Sequence, residues 1–325
     1  MRSNPKFSFN SIVVAIMIFS IFWGGSWIRQ QALASETGPL RIALLPILDS
    51  FPFYVAEANG YFEKQGVQVK AVPVGSGLER DQLMQSGEID GMLNEMMSSA
   101  NFNRDQIQVK IVSAARKAYP DYPLFRILSA PGSRIDTPMK LAGASIGISK
   151  NTIIEYVTDR LLAEEKILAV QIEKQSIPVI PERYQLLMQS RIKAATLPDP
   201  LAKSAMQAGA GLVVDDAKYP QYSMSVLTFS IQTLENRPGD VRRFLRAWDQ
   251  GAADINASPE SYRDLLLQKI RVPKNIQQSY KIPAYPRKEV PKPGQWADVM
   301  DWMVSKGLLK HALSYEDSIT TKFLP

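Results

Sequence analysis

Residues 79–91 read ERDQLMQSGEIDG, and residues 182–195 read ERYQLLMQSRIKAA. Set side by side without a gap, Glu79, Arg80, Gln82, Leu83 and Ile89 fall on Glu182, Arg183, Gln185, Leu186 and Ile192. Just upstream, Val72-Pro73-Val74 is echoed by Ile177-Pro178-Val179. Leu and Gln are common helix formers, so two amphipathic helices can agree by chance. The flanks argue for a true repeat, because the same order of segments surrounds both copies. Residues 41–45 form a short apolar run suited to a buried parallel strand, and residues 67–72 alternate as a strand does. Residues 78–85 read as a helix with Gly87 as its stop, and residues 91–93 and 108–113 read as strands. After Pro131-Gly132 the pattern restarts. Residues 144–149 read as a strand, 152–165 as a helix, 171–177 as a strand, 182–189 as a helix and 194–197 as a strand.

Strand–helix–strand alternation predicts an α/β fold of parallel sheets with helices on both faces. A unit repeated only twice is too short for a solenoid, so it predicts two lobes of similar topology. Ligands of open α/β sheets sit beyond the carboxyl ends of the strands. Two such lobes facing one another would place those ends on the walls of one cleft.

Composition sets the outer limits. The 325 residues suffice for about two domains, and 45% apolar with 22% charged residues are globular values. Cysteine is absent, which excludes disulfides, thiolate metal sites and cysteine nucleophiles. The single histidine, His311, makes an imidazole zinc site improbable, and neither a metal nor a cofactor is expected. Arg2 and Lys6 precede an apolar stretch at residues 12–23, and Ala32-Leu33-Ala34 is a small-x-small exit. Residues 1–34 therefore read as a secretory signal peptide or as an uncleaved anchor. Either way the globular part lies outside the cytoplasmic membrane, in a periplasmic or extracytoplasmic space. That segment also holds Arg2, Lys6 and Arg29 and no acid, so part of the formal charge of +6 belongs to targeting. No basic cluster interleaved with aromatics follows, and no nucleic acid is expected as a partner.

The stretch Pro52-Phe53-Tyr54-Val55-Ala56-Glu57-Ala58-Asn59-Gly60-Tyr61-Phe62 resembles the P-x-Y-x-A-x-x-x-G-Y-F signature of periplasmic solute-binding proteins. The group is the nitrate/sulfonate/taurine and thiamine-pyrimidine-precursor type. Gly87-Glu88-Ile89-Asp90-Gly91 is similar to a second signature of that group. Leu141-Ala142-Gly143-Ala144-Ser145-Ile146-Gly147 resembles its L-x-G-K-x-I-G, with Ala144 in place of the lysine. The resemblance runs from about residue 41 to the C-terminus and specifies no ligand. It implies a type II periplasmic-binding-protein fold. Lobe one would comprise residues 41–129 and 225–325, and lobe two residues 130–224. The two crossings would act as a hinge, and residues 225–230 would return to lobe one as a strand. The C-terminal helices would pack on lobe one, with Trp296, Val299, Met300 and Met303 as core.

Candidate ligand contacts follow from the strand ends. Asp49, Ser50, Phe51 and Phe53 come directly after the first strand. Asp49 and Ser50 serve equally as helix caps, and Phe51 or Phe53 as an apolar wall. Gly75 and Ser76 allow close backbone approach before the repeated helix, though without the lysine of a phosphate loop. Ser149 and Thr152 hold the matching place in lobe two, with Ser149 read as the cap. Asn94 and Glu95 end one strand, and Asp199 ends its counterpart. Arg116 suits an acidic ligand or Asp49, and Thr228 lies on the return strand. If Asp49, Glu95 and Asp199 point inward, a neutral or cationic heterocycle fits; if they cap outward, an anion does. The implied partners are a small organic ligand and an ABC permease, with the chain a monomer working by hinge closure. The alternatives are a sensing domain for a membrane receptor and, less favoured, an enzyme of the thiamine-pyrimidine synthase type. The latter resembles this chain but uses a histidine and a cysteine-rich segment, so no catalytic residue is assigned.

Overall fold

The computed structural model of the chain describes residues 38–325. The signal or anchor reading of residues 1–34 lies outside the described residues. The first half runs β1 (Leu40–Leu44), α1 (Phe51–Ala58), β2 (Val69–Pro73), α2 (Gly77–Gln85), β3 (Gly91–Glu95), α3 (Met96–Phe102) and β4 (Val109–Lys117). Then come β5 (Phe125–Ser129), β6 (Ser145–Ile148), α4 (Ile153–Glu164), β7 (Glu173–Ser176), α5 (Ile180–Met188), β8 (Ala194–Pro198), α6 (Leu201–Gln207) and β9 (Gly211–Asp215). The chain returns through β10 (Met224–Ser230) and continues into α7 (Pro238–Ala257) and α8 (Pro293–Ser305).

The strands form two five-stranded sheets, ordered β2-β1-β3-β10-β4 and β7-β6-β8-β5-β9. In each, three parallel strands come from one copy of the repeated unit, followed by one antiparallel strand, β10 or β5, and an edge strand, β4 or β9, that runs with the first three. The repeated helices α2 and α5 connect equivalent strands, as the duplicated sequence predicts. Strand β10 re-enters the first sheet, with Phe229 opposite Gly91.

Two expectations are corrected by these pairings. Residues 125–129 do not close the first lobe; β5 pairs with β8 and β9 and belongs to the second sheet. The first crossing therefore spans residues 118–124 and the second residues 216–223, and Met224 already pairs with Lys117 in the first sheet. Nor does α8 serve one lobe. Its Trp296, Val299, Met300 and Met303 share one buried cluster with α3 and with Ile154, Tyr156 and Val157 of α4. Asp298 accepts hydrogen bonds from Tyr156 at 2.6 Å and Arg160 at 2.8 Å, and Trp302 Nε1 donates to Asp159 at 3.0 Å. Lys306, just past the helix, reaches Glu155 at 3.0 Å.

On the other face of the first sheet, the aromatics of the P-x-Y signature hold α1 to α7. Phe53 lies 5.0 Å from Phe62, which stacks on Phe244 at 5.6 Å. Burying each such ring contributes roughly 1.5–3 kcal/mol.

Candidate functional site

A cavity of about 230 Å³ lies where the two sheets meet the crossings. The first sheet supplies Arg116 from the end of β4. The first crossing supplies Asp121, Tyr122 and Pro123, and β5 supplies Arg126. Asp199 follows β8, and Lys203 lies on α6. Residues 279–283, an irregular segment between α7 and α8, close the remaining side with Ser279, Tyr280, Lys281 and Pro283.

Each carboxylate at the strand ends has a guanidinium. Arg126 Nη1 donates to Asp199 Oδ1. Asp49 Oδ2 lies 3.8 Å from Arg116 Nη1, and Asp49 Oδ1 accepts from Ser225 Oγ at 2.7 Å. Glu95 lies 3.6 Å from Arg80. Burial still raises the Asp199 and Glu95 carboxyls above their ordinary values, opposed by Arg126 and Arg116 at the first and Arg80 at the second. Burial also drives the Tyr280 phenol upward, so it stays a neutral donor. Burial disfavours the charge on Arg116, Asp49 foremost opposes it, and its pKa is raised.

The irregular segment and the crossings are tied to the sheets by specific bonds. Tyr285 donates to Leu48 O at 2.7 Å, and Asn275 donates to Ser204 O at 3.1 Å. Asp216, in the second crossing, accepts from the N–H groups of Leu124 and Phe125, both at 2.9 Å. The crossings are thus linked to each other beside the cavity wall.

Of the sequence-predicted residues, Arg116 and Asp199 line the cavity and Asp49 stands behind Arg116. The others lie elsewhere. Phe51 and Phe53 are core rather than wall, because α1 turns them toward α7 and the segment after it. Asp49 and Ser50 make no side-chain cap; Ser50 Oγ donates to Leu45 O at 2.7 Å. Ser76 caps α2 by accepting from Glu79 N at 3.2 Å, and Glu79 reaches back to Gly75 N at 2.7 Å. These two bonds occupy the loop in the manner of a capping box, shifted by one residue because Glu79 accepts from Gly75 rather than from the cap Ser76. In lobe two the cap is Thr152, which accepts from Ile154 N at 3.1 Å, and not Ser149, which accepts from Arg183 at 2.8 Å. Asn94 and Thr228 come together, the hydroxyl donating to the amide oxygen at 2.7 Å, in a buried network with Ser98 and Ser99. Arg126, Lys203 and Tyr280 went unread. The only sequence signal for Arg126 was its place in a short apolar run just before Pro131, and Tyr280 sits in a stretch with no periodicity.

Two lobes of one plan, joined by two crossings and enclosing a cavity at their junction, define a binding-protein architecture. The solved aliphatic sulphonate binding protein SsuA of Escherichia coli superposes with a TM-score of 0.75 at 17% identity, over 88% of this chain and 92% of that one. The desulfurization enzyme DszB also superposes, with a TM-score of 0.65 at 14% identity, over 88% and 97%. The fold is that of type II periplasmic binding proteins. Residues 48–262 match the NMT1/THI5-like family model, and the chain belongs to that family. An ABC transporter periplasmic binding protein of Brachyspira hyodysenteriae is 24% identical over 272 residues, 79% of this chain and 77% of the relative.

Proposed function

We propose that the chain is the extracytoplasmic solute-binding component of an ABC importer, which captures a small organic molecule between its lobes and delivers it to a membrane permease. The observation that carries this reading is the cavity itself, whose walls come from both sheets and from a crossing. A ligand touching all three stabilises one lobe arrangement over others, which is how binding becomes a signal to a partner. The likeness to the Brachyspira binding protein and to SsuA supports the same role. Lobe one then comprises the first sheet with α7, lobe two the second sheet, and the chain works as a monomer beyond the cytoplasmic membrane. The fold is shared with DszB, but this chain has no cysteine, and Asp199 on the cavity wall is already paired with Arg126. Those features suit holding a molecule rather than transforming it.

Native mass spectrometry of the chain isolated from its own extracytoplasmic space tests the reading. One small molecule per chain should be released on denaturation, and adding it back should raise the melting temperature with concentration. Asp199→Ala, which unpairs Arg126 in the cavity wall, should change the affinity for that molecule. Release of a chemically altered product in the absence of a permease would overturn the proposal.

A further inference from the structure

Two late segments of the chain reach the second lobe, and they hold it by different chemistry. The first is α8, which joins the lobes through apolar contact. Its Met300 and Met303 share one buried cluster with Met96 of α3 and with Ile154 and Val157 of α4. Parting such surfaces returns apolar area to water, which is costly. The second is the irregular segment 271–285 on the cavity side. Its inner face belongs to lobe one. Ile276, Tyr280, Ile282 and Tyr285 lie in a buried cluster with Leu48 and Phe51, and among the described residues that cluster takes none from the second sheet or its helices. Arg263 fixes the segment from the same side, donating to Gln277 O at 2.8 Å and to Tyr280 O at 3.0 Å.

The ties from this segment to lobe two are hydrogen bonds. Asn275 Nδ2 donates to Ser204 O at 3.1 Å, and Ser204 Oγ donates back to Asn275 Oδ1 at 2.8 Å. Asn275 sits on the single turn Lys274–Ile276, and Ser204 on α6. Tyr280 Oη reaches Asp199 Oδ2 only at 3.5 Å, the outer limit of a hydrogen bond. Hydrogen bonds exchange for bonds to water at small net cost, unlike packed apolar surface. A strap rooted in one lobe by its core and fastened to the other by one exchangeable pair has the construction of a catch.

We propose that residues 271–285 form a latch that holds the lobes together on the cavity side, with the Asn275–Ser204 pair as its catch. The lobes part at this pair and stay joined along α8. The latched fraction sets how much of the chain is competent to retain cargo, so the catch also tunes the apparent affinity. This rests on the two-lobe binding reading, to which it adds a fastening. The chain has no cysteine, so Gln268→Cys and Gln207→Cys, both exposed and one in each lobe, give a unique pair of spin-label sites. Double electron–electron resonance on the full chain then reads the separation of the lobes. The labelled chain should show the separation of the structure as its main population. Asn275→Ala loses both bonds and Ser204→Ala only one, so the latched-to-open ratio should fall about fivefold for each bond lost. Combining the two should add little to Asn275→Ala. Gln278→Ala, on the same exposed stretch, should change nothing. A labelled chain that is already open, identical distributions with and without Asn275→Ala, or an equal shift in Gln278→Ala would each overturn the proposal. Asn275 is exposed, so its variant tests the catch even where Ser204→Ala fails to fold. Native mass spectrometry judges the binding reading separately: a chain that retains a small molecule yet shows no shift in Asn275→Ala sinks the latch and leaves that reading intact.

Discussion

The two sheets repeat one order of strands but distribute charge differently. In the first, Arg80 of the repeated helix is surrounded by Asp81, Glu95 and Ser98. In the second, Arg183 occupies the matching place with only Ser149 and the Ile177 carbonyl to accept from it, and burial lowers its pKa to about 10. The outer antiparallel strands differ as well. β4 ends in the buried cation Arg116, whereas β9 runs into the buried acid Asp216. Side-chain size diverges at a shared register position: Phe229 lies opposite Gly91, and Ser129 opposite Ala194. Backbone plan and side-chain electrostatics are therefore separable. Packing and hydrogen bonding fix the plan, and each lobe carries its own charges on it.

The comparison breaks most visibly with pH. Burial raises the Asp216 carboxyl to about 7, with Ser223 and the Leu124 and Phe125 amides opposing. A carboxyl raised above its unfolded value of about 3.9 binds its proton more tightly in the folded state. Its contribution is complete below about pH 4 and is lost as pH rises through about 7. Asp216→Asn should flatten that decline, by on the order of 3–4 kcal/mol across the window, read from urea midpoints at successive pH values.

Arginine removal comes next. Arg80→Met leaves Asp81 and Glu95 without their partner and should destabilise by about 3 kcal/mol, the low end for a broken buried pair because both acids keep about a third of their exposure. Arg183→Met removes a charge that has no carboxylate beside it, and should change stability by less than about 1 kcal/mol. Equal losses in denaturant titrations would erase the distinction between the copies. The smallest effect lies at the register pair. A Cβ on Gly91 would come within 2.7 Å of the Phe229 ring, so Gly91→Ala should cost about 1–2 kcal/mol through overpacking. Ala194→Gly, with no facing ring, should cost about 0.5–1 kcal/mol through backbone entropy, plus about 0.8 kcal/mol for the buried methyl it removes.

The repeat was legible because both copies keep their helix formers, stop signals and flanking strands in order. From it followed the two sheets and, with the family signatures, the returning strand β10. Strand β5 was hidden because no helix precedes it and only a short crossing separates it from β4; its five residues pair far away in sequence with β8 and β9. Arg116 and Asp199, singled out because strand ends are where topology puts ligands, line the cavity. Phe51 and Phe53 were misplaced because an apolar residue after a strand looks the same whether it turns toward a ligand or toward a neighbouring helix. Only the packing of α7 decides between them. Tyr280 depends on an irregular segment whose course is set by contacts such as Tyr285 with Leu48 and Asn275 with Ser204.

The bonds from α8 and Lys306 to α4 carry a mechanical consequence. A jaw that pivots only on its two connecting strands swings freely at the opposite side. Under the proposed hinge motion, widening would have to either tear Asp298, Trp302 and Lys306 from their seats on α4 or turn about that helix as a second axle. If the lobes move as proposed, α8 would govern which way the mouth gapes, far along the sequence from the strands that line it.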